Sequence, residues 1–299
     1  MEQRSVVDHH GVDVAYRLWR PEDPWGLVVI AHGASEHGGR YERFARALGQ
    51  AGLAAAALDH RGHGLTARST GAGVVGPGGG AALLDDLDLV RADALAALGT
   101  TRPTFLFGHS LGSVIGLAYL VARSRELAGG VLCGFPVDPG DVAAFGEQLA
   151  PFAGPDQRDQ PALGLFDAYA EAVERRRTPF DWLSRDPSEV DEYLADPMCG
   201  DHNPLTWGYL LDVFSVAAPA ADRLADITCP VLVIAGDQDP AAGMGAWPES
   251  LAAALAQAGV PSELRLYPGA RHELLHETNH QEVTADILAW LGRQRPGTP

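Results

Sequence analysis

Thr104-Phe105-Leu106-Phe107-Gly108-His109-Ser110-Leu111-Gly112 is the stretch whose reading decides the fold. Thr104 to Phe107 reads as a short buried strand, and Leu111 to Arg123 has helical spacing. Between them stands G-x-S-x-G, with Ser110 at its centre. In a strand–turn–helix setting this motif predicts a sharp turn that lifts the serine hydroxyl above the strand's carboxyl end. Glycine on either side lets neighbouring backbone approach, and the helix N-terminus faces the serine, where negative charge is favoured.

Outward from this turn the same alternation repeats. Leu27 to Ala31 and Leu53 to Leu58 are continuous apolar runs, as expected of strands buried on both faces. Val12 to Arg17, Gly130 to Cys133, Val231 to Ala235 and Leu264 to Tyr267 read as further strands. Helices are predicted over Tyr41–Ala51, Leu83–Leu98, about Glu249–Ala258 and Gln281–Arg293. Alternating strands and helices imply an α/β fold with a mostly parallel central sheet covered on both faces. The rhythm breaks over residues 136–204, so the chain divides into a core of 1–135 and 205–299 and an inserted cap of 136–204. Gly71 to Gly80 has no phosphate-loop lysine and reads as a mobile loop.

Composition excludes several classes. The 299 residues carry a formal charge of −17, which argues against nucleic acid or an anionic membrane as a partner. All 22 basic residues are Arg, so lysine Schiff-base chemistry is excluded. Cys133, Cys199 and Cys229 are too scattered for a disulfide framework or a zinc site, and no metal or other cofactor is expected. No apolar run reaches the length of a transmembrane segment, and Met1-Glu2-Gln3-Arg4-Ser5 lacks a signal-peptide core, which predicts a cytoplasmic protein. The oligomeric state is not legible.

A serine nucleophile needs a base, and the base an orienting acid, in the chain order Ser, Asp/Glu, His. His272 follows the strand Leu264–Tyr267 and is the expected base; His276 and His280 are expected to face solvent. Gly236-Asp237-Gln238-Asp239-Pro240 follows the strand Val231–Ala235 and offers two acids. Pro240 fixes the backbone beside Asp239, which favours Asp239; Asp237 is left to cap the turn. Oxyanion donors are expected from the N–H of Leu111 and of Ala34, the latter in the loop after Leu27–Ala31. His32 and His37 in that loop read as structural.

His32-Gly33-Ala34-Ser35-Glu36-His37 with Arg40-Tyr41, Asp59-His60-Arg61-Gly62-His63-Gly64, Gly108-His109-Ser110-Leu111-Gly112, Gly236 with Asp239, and Arg271-His272-Glu273 together resemble the monoacylglycerol lipase and lysophospholipase group of the α/β-hydrolases. The resemblance spans nearly the whole core. It implies ester hydrolysis of single-chain lipids under a cap, with Ser110, Asp239 and His272 as triad and Ala34 and Leu111 as oxyanion donors. Thr66 departs from the serine usual in the group.

Within the cap, Val142, Phe145, Leu149 and Phe152 recur at helical spacing, followed by Phe166, Tyr169 and Val173. Phe145, Leu149, Phe152 and Phe166 are the expected lining of an acyl passage, since such pockets are mostly apolar. Other serine chemistry remains open on this scaffold: an aminopeptidase, a thioesterase or an acyltransferase. A peptidase would use an acidic group in the cap, and Glu171, Glu174 and Asp181 are available. A non-catalytic ligand-binding member of the fold would have a broken triad.

Overall fold

The computed structural model describes residues 1–99, 101–295 and 297. Among the described residues eight strands form one sheet: β1 Glu2–Val7, β2 Asp13–Trp19, β3 Gly26–Ala31, β4 Leu53–Leu58, β5 Thr104–His109, β6 Gly129–Cys133, β7 Val231–Gly236 and β8 Ser262–Tyr267. Their order is β1-β2-β4-β3-β5-β6-β7-β8. Only the β1–β2 and β2–β4 pairs are antiparallel. Every residue of β3, β4, β5, β6 and β7 is buried, which is why these strands read as unbroken apolar runs. β1 escaped the sequence reading because it is a polar edge strand, with only alternate residues partly covered.

The helices are α1 Glu42–Gln50, α2 Ala67–Thr70, α3 Gly79–Leu98, α4 Leu111–Arg123, α5 Val142–Gln148, α6 Pro155–Arg158, α7 Asp167–Glu171, α8 Pro187–Ala195, α9 Trp207–Ala221, α10 Ala246–Gln257 and α11 His280–Arg293. Two large apolar cores form, one on each face of the sheet. Leu83, Ile115, Tyr209 and Leu251 belong to the first, and Phe44, Phe107, Ile287 and Trp290 to the second.

α9 lies outside the sequence reading. It is apolar around most of its circumference, buries Tyr209, Leu210, Val213 and Phe214, and carries Pro219 near its end. With no polar stripe it has no helical period to detect. Thr206 caps it by accepting from Tyr209 N–H.

The glycine-rich segment expected to be a mobile loop is held on both sides. Gly73 donates to Gly62 O at 2.9 Å and its own carbonyl accepts from Thr206 N–H at 3.1 Å. A Cβ on Gly73 would fall 2.2 Å from Pro204 O, so glycine here permits a close backbone crossing. Residues Gly79 and Gly80 already belong to α3.

The chain leaves β3 towards β4 on one side and returns through β5 to β6 on the other. The carboxyl ends of β3 and β5 therefore flank a switch in strand order, the place where open α/β sheets form their sites. Ser110 follows β5 and His32-Gly33-Ala34 follows β3.

Candidate active site

Ser110 adopts φ 51° and ψ −121°, a left-handed conformation rare for a residue with a Cβ. The turn is held by Ser110 N–H donating to Cys133 O at 2.9 Å. It is possible only because of its glycines: a Cβ on Gly108 would meet Gly112 O at 2.4 Å, and one on Gly112 would meet Ala31 O at 2.2 Å. The 13-residue α4 begins at Leu111, immediately after the serine.

Asp239 and His272 come from different strand ends and meet. His272 Nδ1 lies 2.8 Å from Asp239 Oδ2, with both side chains buried. Asp239 Oδ1 accepts from Ala241 N–H at 2.9 Å, which fixes the carboxylate through the Pro240 turn. Asp237, expected to cap its own turn, instead accepts from Gly269 N–H at 2.7 Å, in the turn that follows β8.

Ser110 and His272 share a cavity of about 20 Å³ with Ala34, Phe166, Trp182 and Leu183. That is room for a water molecule and not for an acyl chain. Residues from 136–204 close it on both sides. Glu273 N–H donates to Leu183 O at 2.8 Å, while Tyr193 Oη and Gly200 N–H both donate to Ser35 O, at 3.0 and 2.9 Å.

Of the four aromatic and aliphatic residues expected to line a passage, the structure brings only Phe166 to this cavity. Phe145 packs on Phe214, with ring centroids 4.7 Å apart. Phe152 stacks on Trp207 at 3.9 Å, and Leu149 is buried in the main core. Their helical stripe faces α9 rather than the serine. Trp182 stands with its ring centroid 5.0 Å from that of His272.

The loop after β3 is braced from below. His60 N–H donates to His32 Nε2 at 2.9 Å, and Ser35 N–H donates to His63 Nε2 at 3.2 Å. Gly38 N–H donates to Asp59 Oδ1 at 2.9 Å. Thr66 is equally structural: its hydroxyl donates to Asp59 O at 2.7 Å and accepts from Ala15 N–H at 2.9 Å. Burial, reinforced by their mutual proximity, holds His32 well below the usual imidazole range and His60 down at about 3; burial, with His37 nearby, outweighs the groups that favour charge on His63, at about 4.

Beside the serine lies an ionic cluster that spacing alone did not single out, although most of its members sit in the quoted motifs. Glu36 accepts from Gly33 N–H at 2.6 Å, Tyr41 Oη at 2.9 Å and Arg40 at 2.9 Å. Arg40 also forms a two-pronged pair with Glu273. His276 was expected to face solvent; it is buried, with Nε2 donating to Arg40 O at 3.1 Å. The short 3₁₀ turn Leu274–His276 folds it inward. His280 is only partly exposed.

A groove of about 1060 Å³ lies elsewhere, lined by α1, α8 and α11. Its arginines are already paired, Arg17 with Asp59 and Arg43 with Glu189. Among the described residues no helix is long and apolar enough to cross a membrane.

A sheet of this order, with a strained serine turn at its switch point, defines the α/β-hydrolase class. The family model described as "Serine aminopeptidase, S33" matches residues 22–279. A monoacylglycerol lipase from Mycolicibacterium smegmatis is 32% identical over 97% of this chain and 96% of its own. A monoglyceride lipase from Homo sapiens is 30% identical over 97% of this chain and 90% of its own. A highly thermostable carboxyl esterase from Bacillus coagulans, solved in complex with glycerol, superposes with a TM-score of 0.88 at 27% identity, covering 97% of both chains. The chain belongs to this hydrolase family and, within it, to the monoacylglycerol lipase group, a group of carboxylic-ester hydrolases.

Proposed function

We propose that the protein hydrolyses carboxylic esters of single-chain lipids, monoacylglycerols first among them, through an acyl-enzyme on Ser110. The observation that carries this reading is the buried Asp239–His272 pair at 2.8 Å, opening onto the cavity that holds Ser110. Asp239 holds His272 with Nδ1–H, leaving Nε2 as the base. Ser110 Oγ attacks the ester carbonyl as His272 takes its proton, and the oxyanion is met by the N–H groups of Ala34 and Leu111. His272 then protonates the departing alcohol. Water, deprotonated by the same imidazole, releases the acid and restores Ser110.

The substrate class follows from the surroundings. Phe166, Trp182 and Leu183 present apolar walls beside the serine. Residues 136–204 act as the cap, and the water-sized cavity means that the cap moves before a lipid enters. An ester suits the site better than a peptide with a free amine. Glu171 and Glu174 are exposed and Asp181 is held by Thr178 and the Arg177 backbone, so none offers an anchor there. Glu36 and Glu273 do reach the cavity, but both are held in ion pairs with Arg40 and not free to anchor an amine.

The test is kcat/KM for purified protein across acetyl to palmitoyl monoesters, monoacylglycerols, a lysophospholipid, a triacylglycerol and aminoacyl amides. Each added methylene is expected to raise kcat/KM, by at most about fourfold, until the passage is full. Turnover of triacylglycerol equal to that of the monoester, or preference for the aminoacyl amide, would reject the single-chain ester reading.

A further inference from the structure

His109, the residue before the serine, has both ring nitrogens directed at acceptors. Nδ1 lies 3.1 Å from Glu36 Oε1, and Nε2 lies 3.3 Å from the backbone carbonyl of His272. A neutral imidazole has one N–H and one lone pair. Either neutral tautomer would therefore set a lone pair against an oxygen, inside a site where His109 is only 6% exposed.

The charges around it call for the same state. Glu36 comes from the loop after β3, and Glu273 from the loop after β8. Burial works against ionising either carboxyl. For Glu36 the hydrogen bond to His109 and the charge of Arg40 prevail, and for Glu273 the charge of Arg40 prevails; both stand below the usual range. Among the described residues Arg40 is the one guanidinium that pairs with them, and it pairs with both. His109 also lines a second small cavity, shared with Tyr41, Cys133 and His276. Burial keeps the Tyr41 hydroxyl and the Cys133 thiol protonated, and burial with Arg40 nearby holds His276 down at about 4, so all three are neutral near pH 7. Asp239 is engaged by His272 and Ala241. Two carboxylates and one guanidinium leave one negative charge unmatched.

We infer that His109 is a standing imidazolium that closes this cluster to neutrality and, from a ring centroid 4.8 Å from that of His272, governs how readily the base takes a proton. It is a positioning residue. Through Glu36 it grips the loop that carries Ala34, and through the His272 carbonyl it grips the loop that carries the base. Its charge opposes early protonation of His272 and favours negative charge on a neighbouring oxyanion. Burial disfavours that charge, but the hydrogen bond and charge of Glu36 outweigh it and raise His109 above the ordinary imidazole value. The inference rests on His272 being the base.

Two measurements test it. Long-range ¹H–¹⁵N correlation on ¹⁵N-histidine-labelled protein, with His109 assigned through its backbone, is expected to show protons on both ring nitrogens near neutral pH. An unprotonated nitrogen there would overturn the inference, and this result does not depend on any variant folding. In His109→Gln, which keeps an amide donor without the charge, the acidic limb of the kcat/KM profile is expected to move to higher pH by about one unit. An unmoved limb would overturn the control of His272. Retained turnover in Ser110→Ala, run alongside, would instead strike the triad itself and leave the nitrogen spectrum standing.

Discussion

Asp239 Oδ2 lies 2.8 Å from His272 Nδ1, whereas Asp237, two residues earlier, accepts from Gly269 N–H. The two aspartates share one loop and do different work. Asp239→Asn is expected to lower kcat about 10⁴-fold, because an amide can select the wrong imidazole tautomer. Asp237→Asn keeps an amide oxygen to accept from Gly269 N–H and loses only the charge on that bond, so it should keep activity within about tenfold, at a stability cost of at most about 1 kcal/mol. Steady-state kinetics of both variants decide the matter; an inactive Asp237→Asn beside an active Asp239→Asn would reverse the assignment.

Leu149 and Phe166 separate packing from substrate contact. Leu149 is 4% exposed in the core and Phe166 borders the Ser110 cavity. Leu149→Ala should cost about 2–5 kcal/mol in urea unfolding and leave the relative kcat/KM values of short and long acyl esters unchanged. Phe166→Ala, at a half-buried position, should cost less stability and shift that ratio towards bulkier acyl groups. The same ratio in both variants and the native protein would remove Phe166 from the substrate path.

Acid should destabilise the fold through its buried neutral histidines. His60, His63 and His276 stand at about 3, 4 and 4, against 6.5 for a free imidazole, and His32 is also well below it. A depressed histidine means that the unfolded chain binds the proton first. The stability it contributes is therefore complete above pH 6.5 and declines as the pH falls towards the folded values. Each such group adds a slope of up to about 1.4 kcal/mol per pH unit. His60 makes the case sharpest, since neither ring nitrogen has a hydrogen-bond partner to hold a proton. Urea midpoints at pH about 7 and about 5 should differ by several kcal/mol in stability. A flat profile over that interval would contradict the burial account of these side chains.

The strand ends were legible because the candidate site residues stand there in short contiguous motifs. Ser110 is announced by the glycines its turn requires, and Asp239 and His272 by the strands they follow. The packing inside residues 136–204 was not. The spacing of Val142, Phe145, Leu149 and Phe152 reports a buried face but not what buries it. The answer is α9, whose largely apolar surface has no clear period of its own. The ionic cluster around Arg40 was hidden for a different reason. A charge run reads as solvated until a distant residue, here Glu273, is brought against it. Glu36, Arg40 and Tyr41 were present in the motif, yet their mutual contacts depend on how the loop folds.

The central claim is that Ser110 carries the acyl group. Reaction with a fluorophosphonate, followed by peptide mass spectrometry, tests it directly. A single stoichiometric adduct is expected on Ser110, with ester turnover lost in proportion. Ser110→Ala should be folded, unlabelled and slower by a factor on the order of 10⁴ or more. An adduct on another residue, or undiminished ester turnover in Ser110→Ala, would contradict the account.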